Sequence, residues 1–279
     1  MNWDKARNQN RMKRVPATSV EEEEAESRRY HRRVRDPVQA IASLIATRLQ
    51  GAAEPHHLLH RLHREISAGN LQEALRLATI ALDTEVANPA RFLRALVFRS
   101  MKQNREARAD LEILVKNLSS IGARPECAKA QLVLAQIYSD EHAFAQGAAM
   151  AMASAENDPQ EAEAQLVLAH CLLSLDTRYA EEAASSFRDA IKLGFQGWEP
   201  CWGLTKCSIA VGDSTTAAEM ARMAVQQGFS NHEELASSGL KGLIDAEAYK
   251  KIAATALETA MQNLSKEMEA YGDTNLRSR

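Results

Sequence analysis

Four histidines crowd one short stretch of this 279-residue chain: His56, His57, His60 and His63. On a helix His56, His60 and His63 share one side, at i, i+4 and i+7, a spacing at which imidazoles can hold a transition metal. Only Glu54 lies near them in sequence as a further ligand, and no cysteine does. The stripe runs beside Leu59, Leu62 and Ile66. We therefore read it as the polar flank of an apolar helix face, and we assign neither metal nor cofactor.

A second chemical run is Arg28-Arg29-Tyr30-His31-Arg32-Arg33. Its cations suit phosphates or an acidic protein surface, and Tyr30 could stack on a base. The same charges also answer the acidic block Glu21–Glu24. Trp198 and Trp202 stand one helical turn apart around Pro200. Their spacing suits packing between neighbouring structural units, with an exposed aromatic anchor as the rival reading. Cys127, Cys171, Cys201 and Cys207 show no CxxC spacing, which fits small buried hydrophobes in a reducing compartment. No nucleophile–base set, phosphate-binding glycine loop, dinucleotide fingerprint or zinc-enzyme motif occurs. An enzyme would have to assemble its site from scattered residues, so the expectation is a non-catalytic protein.

Composition points to helices. Aromatic residues make up only 5%, and Gly and Pro are scarce at 12 and 7. No apolar run approaches the roughly 20 residues that span a bilayer. The basic start lacks the apolar stretch of a secretory signal, and we read the protein as cytoplasmic, with no membrane contact. The net charge of −3 selects no partner by itself, but it is unevenly spread: residues 1–35 carry ten basic and six acidic side chains. That segment has too few apolar residues to offset the entropy of ordering and is expected to be a charged, disordered tail.

The elements that must position any site announce themselves by repetition. Residues 128–136 read AKAQLVLAQ and residues 162–170 read AEAQLVLAH, with an offset of 34 residues. Gly194-Phe195 returns as Gly228-Phe229 at the same offset. A period of this size means stacked supersecondary units. Ahead of them Asp36-Pro37 starts a leading helix with Val38, Ile41, Leu44, Ile45 and Leu49, a cap over 36–54. Helix pairs then follow one another over 55–229. The first turns at Gly69-Asn70 and places Ala74 and Ala81 in its second helix. The next starts after Asn88-Pro89 and turns at Lys102-Gln103-Asn104, without glycine. A third carries Ala135, then Ala148, Met152 and Ala155; a fourth carries Ala169, then Ala183, Phe187 and Ala190. The fifth turns at Gly212-Asp213 before Ala217, Ala221 and Ala224. Beyond Phe229 a short irregular element precedes a long helix from about Ala246 to Ala270, with Ile252, Leu257, Met261, Leu264 and Met268 as its apolar positions. Residues 230–279 should cap the array and fray from Gly272, because a terminal unit otherwise exposes its apolar face.

The 34-residue period, the Gly69-Asn70 and Gly212-Asp213 turns, and the small residues of each second helix resemble the tetratricopeptide repeat family over about residues 55–229. The resemblance implies an all-α fold, a right-handed superhelical solenoid of antiparallel helix pairs. It also implies a mode of action, in which first helices line a concave groove that holds a peptide or partner helix. The chaperone-binding subgroup grips a terminal carboxylate with Lys and Asn on successive first helices. Arg91, Arg94 and Lys129 are present here without matching asparagines, so that specificity is not carried over.

The expected function is accordingly a protein-binding adaptor, scaffold or assembly factor. The groove candidates are His60, His63, Arg91, Arg94, Gln131, Gln165 and Lys206, read as solvated positions beside the apolar stripes. Gln131 and Gln165 repeat at the 34-residue offset, which would let them hydrogen-bond an extended backbone at intervals. The alternative is a nucleic-acid-associated repeat protein that uses Arg28, Arg29, Tyr30, Arg32 and Arg33 of the tail.

Overall fold

The computed structural model describes residues 54–276, all of whose regular elements are helices. The charged tail, with Arg28, Arg29, Tyr30, Arg32 and Arg33, and the expected leading helix lie outside the described residues. The chain divides into two compact units, residues 1–97 and 98–279.

In the first unit α1 (Glu54–Ser67) and α2 (Leu71–Ala81) form an antiparallel pair. They close on Leu59 and Leu62 from α1 and on Ala74, Leu77, Ala78 and Ala81 from α2. The turn between them needs a left-handed residue, and Gly69 supplies it at φ +77° without a Cβ penalty. Helix α3 (Ala87–Ser100) starts at Ala87, so Asn88 and Pro89 lie inside its first turn rather than before it. Proline costs nothing there, because those N–H groups have no intrahelical acceptor.

The second unit begins with α4 (Asn104–Ser120) and continues through α5 (Arg124–Asp140), α6 (Phe144–Asn157), α7 (Ala162–Leu175), α8 (Ala180–Lys192), α9 (Glu199–Val211) and α10 (Ser214–Gln226). Each packs on its sequence neighbour, and first helices also touch first helices, α5 with α7 and α7 with α9. That second set of contacts draws the first helices together along one face. The alternation of first and second helices is the all-α repeat solenoid expected from the 34-residue period. Ala135, Ala148, Ala169, Ala183, Ala190, Ala217 and Ala224 are all buried, as close helix crossings require.

One register was misread. The buried row of α6 is Gly147, Ala151 and Ser154 with Ala148 beside it, so of the expected Ala148, Met152 and Ala155 only Ala148 is buried, and Met152 is 49% exposed. Serine is tolerated in that row because its hydroxyl donates to the Ala128 carbonyl at 2.8 Å. A short 3₁₀ turn, Thr177–Tyr179, also intervenes before α8 and was not foreseen.

The last turn of the array is chemically complete. Gly212 ends α9 at φ +78°, and Asp213 caps α10 by accepting from the Thr215 and Thr216 N–H groups, both at 3.1 Å. Hydrogen bonds from the Thr216 and then the Thr215 side chains, seconded by these N–H groups, hold the Asp213 carboxyl down at about 2. Two short helices, α11 (His232–Ser237) and α12 (Leu240–Leu243), then lead into α13 (Ala246–Leu276). Leu235, Leu240, Ile252 and Ala256 from these elements pack with Trp202, Ala221, Val225 and Phe229 in one core. Of the rest of the expected α13 stripe, Leu257, Met261 and Leu264 are exposed, and the Met268 side chain lies outside those described.

Candidate functional site: the first-helix face

Polar side chains in the second unit are threaded from one first helix to the next. Arg99, at the end of α3, donates through Nη1 to Oε1 of Gln136 on α5, and it pairs with Asp140 at 3.5 Å. With its oxygen so engaged, Gln136 turns its Nε2 to Glu163 on α7 and donates at 2.8 Å. Burial, then the charge of Glu161, raises the Glu163 carboxyl; the Gln136 hydrogen bond and Arg99 pull the other way. Arg99, Gln136 and Glu163, all within residues 98–279, thus form one relay that runs across α5 to α7.

Farther along, His170 on α7 sits edge-on to Phe187 of α8, with ring centroids 5.2 Å apart. Burial, then the positive charge of Lys206, lowers His170 to about 4, while Glu234 opposes the shift. Lys206 on α9 reaches Oε1 of Glu234 on α11 at 3.3 Å, and the Trp202 indole donates to the same oxygen at 2.6 Å. The face is therefore neutral at His170 and charged on either side of it.

The expected site residues fall into distinct positions. Gln131 is not a solvated groove residue: it is 7% exposed, and its Oε1 accepts from Asn157 at 2.9 Å. Gln165 is half-buried, and Lys206 is committed to Glu234. In the first unit His60 is exposed and His63 half-buried, its pKa lowered by burial and then by His60. Arg91 and Arg94 on α3 are half-buried rather than fully solvated. Among the described residues no cluster of three or more His, Cys, Asp or Glu side chains has a metal-holding arrangement.

The relay residues Arg99, Gln136 and Glu163 were missed, yet a signal for two of them was present. The echo AKAQLVLAQ/AEAQLVLAH differs at only two places, Lys129/Glu163 and Gln136/His170. The repeated letters are mostly packing, whereas Gln136, Glu163 and His170 supply polar groups to the face. Trp202 is a core residue that stacks on Phe229 at 4.1 Å, and the half-buried Trp198 packs against that core, meeting the same ring edge-on at 5.1 Å. All four cysteines are buried and free. Burial raises the Cys171 and Cys201 thiols and pushes Cys207 up to about 11, which leaves them poor nucleophiles.

Helix pairs with small residues at the crossings, a glycine turn and a polar first-helix face define the tetratricopeptide repeat fold. Solved structures with the same fold include residues 41 to the end of MamA from Desulfovibrio magneticus RS-1, at TM-score 0.55 and 14% identity, covering 64% of this chain and 98% of that one. YrrB, described as a TPR protein with an unusual peptide-binding site, matches at TM-score 0.53 and 15% identity over 64% of this chain and 89% of that one. A tetratricopeptide repeat protein from Parabacteroides merdae ATCC 43184 matches at TM-score 0.57 and 10% identity, covering 76% and 79%. No protein-family model matches the sequence, and no curated protein does.

Proposed function

We propose that this chain is a non-catalytic adaptor or assembly factor that holds an extended segment of a protein partner on its first-helix face. The observation that carries this reading is the polar thread from Arg99 through Gln136 to Glu163, continued at Lys206 and Glu234. Groups so spaced offer their remaining hydrogen-bond positions to a peptide backbone at successive repeats. Gln165, half-buried on the same run of α7, belongs to this surface. In the first unit, taken by itself, His60, His63, Arg91 and Arg94 are the candidate contacts. The peptide-binding site named for YrrB supports the reading by analogy of fold. Free buried cysteines fit a cytoplasmic setting, and no helix of the described residues is long and apolar enough to cross a membrane.

A photo-reactive amino acid placed at Gln165, with a second placed at Met152 as a control on the exposed side of α6, tests the proposal in cells. Partner peptides should be captured from 165 and not from 152. Capture from 152 alone would move the binding surface to the second helices.

A further inference from the structure

Helix α13 has two apolar faces, and only one is used. Ile252 and Ala256 are buried against the capping core, whereas Leu257, Met261 and Leu264 are 52%, 63% and 60% exposed. The helix outruns its support. Thr259 and Ala260 are half-buried, and every side chain described from Met261 to Lys266 is exposed, while the helix continues to Leu276. The 16 residues from Met261 to Leu276 extend about 24 Å at 1.5 Å per residue. A solitary helix with this composition gains little from its own hydrogen bonds and depends on packing for stability.

The spacing says what kind of packing. Leu257, Met261 and Leu264 step by four and three residues, and Met268 continues the alternation in the sequence. Two apolar positions in seven make the narrow seam of a coiled coil, not the wider stripe that beds a helix on a globular core. The helix thus changes format along its length. Its first half presents Tyr249, Ile252, Ala253 and Ala256 to the capping core, and the second half presents the seam.

We infer that a second copy of this chain covers the seam, the two α13 helices pairing as a short coiled coil. The flanking positions favour self-pairing. With Leu257 and Leu264 at d and Met261 and Met268 at a, the e and g positions are Glu258, Ala260, Ser265 and Glu267. In a parallel pair Ala260 meets Ser265 of the second copy, and Glu267 falls opposite Gly272 in the register. In an antiparallel pair Glu258 meets Ser265. Neither orientation opposes like charges, and small Ala and Ser flanks let the two helices approach closely. Leucine at d is the choice found in two-stranded coiled coils. Each copy would bring its own first-helix face, so the assembly would carry two partner-binding faces, raising avidity for a partner with repeated segments.

Sedimentation equilibrium on the full chain across a wide concentration range tests the inference. The mass should rise from that of one chain to that of two, and a Leu257→Glu/Leu264→Glu variant should remain at one, its repeats still folded and its helical content lowered at most by the unsupported end of α13. A second measurement does not depend on that variant. The native cysteines are buried, so Met261→Cys places a reactive thiol in the seam and Lys266→Cys places one on the opposite side. A short bis-maleimide should give covalent dimers from Met261→Cys and not from Lys266→Cys. A wild-type chain that stays monomeric at every concentration overturns the inference and leaves the stripe to another protein. Equal cross-linking at both positions, or a dimer that survives the double glutamate substitution, overturns it too.

Discussion

Two adjacent crossings in the second unit solve the same packing problem in opposite ways. Around α6 the close contacts are between small groups: Ala135, Ala148, Ala151 and Cys171 pack with Leu168, and Gly147 lies against α7 and α5. A Cβ on Gly147 would stand 2.8 Å from Cys171 Sγ and 3.3 Å from the Ala135 carbonyl oxygen. Around α8 one ring fills the space instead. Phe187 takes in α8 the place Ala151 takes in α6, four residues after the first small residue of the row and three before the last. Its ring lies over Gly203 of α9, where a Cβ would come within 2.2 Å of it. The repeat fixes where helices cross; it leaves open how volume is shared across the crossing. Complementary pairs, small with small or ring with glycine, preserve the helix spacing.

The largest effect should follow from removing the ring. Phe187→Ala should cost about 3–5 kcal/mol, because Phe187 is fully buried and leaves a cavity between α7, α8 and α9. Ala151→Gly, at the corresponding place in α6, should cost only about 1 kcal/mol, mostly helix propensity. Urea denaturation of the two variants measures both; equal losses would mean that the crossings are not built differently.

Equivalent positions also differ in their response to acid. Gln136 does not titrate, whereas His170, 34 residues later, is held neutral by burial with its pKa lowered to about 4. The groups bearing on it are Lys206, which adds to the depression, and Glu234, which opposes it. The folded state refuses a proton that the unfolded chain accepts below about 6.5. Stability from this group is therefore complete above 6.5 and lost as pH falls towards about 4, by up to about 3 kcal/mol at roughly 1.4 kcal/mol per unit. His170→Gln, which copies the α5 residue, should flatten that part of the pH–stability curve. An unchanged slope would place the acid sensitivity elsewhere.

Adding the missing carbon at each glycine sharpens the contrast further. Gly203→Ala forces a rigid buried ring to move and should cost about 2 kcal/mol, within the usual range for overpacking. Gly147→Ala meets a thiol that can rotate and a carbonyl near normal contact. Its cost should fall to about 1 kcal/mol, partly offset by better helix propensity. Thermal unfolding should rank them in that order, and the reverse order would show that the thiol is the more rigid neighbour.

Much of this was legible because repetition exposes geometry. The 34-residue echo locates the helix pairs, and the alanines at the crossings follow from it. What escaped notice has physical reasons. In α6 the closely packed row is Gly147, Ala151 and Ser154, and neither a helical glycine nor a serine looks like core until the Ser154 hydroxyl is seen donating to Ala128. Gln131 and Gln165 drew attention by recurring, but a letter that recurs in a repeat is often one the packing requires, and Gln131 is tied to Asn157. The non-recurring letters, Gln136 against His170 and Lys129 against Glu163, were the better guide to the face. In α13 helical spacing alone cannot distinguish a bedded stripe from a seam, so Ile252 and Leu257 were read as one face when they lie on two.

The smallest expected effect lies in the turns. Gly69 and Gly212 carry φ near +77° and +78° where the helix pairs reverse, with no atom close enough to obstruct a Cβ. At two other turns the same conformation falls to Lys102 at φ 60° and His142 at φ 58°. A side chain in that region is disfavoured by about 1 kcal/mol, whereas glycine adopts it freely but loses more entropy on folding. The two terms leave a modest net gain, so Lys102→Gly should raise stability by about 0.5 kcal/mol. His142→Gly should gain less, because the imidazole lies edge-on to Phe144 with centroids 5.6 Å apart and that contact would be lost. Gly212→Ala, with open space around it, should lose a similar amount for the backbone reason alone. Chemical denaturation of the three variants would show one gain, one near-zero change and one loss; a loss at Lys102→Gly would mean that its side chain makes a contact worth more than the backbone strain.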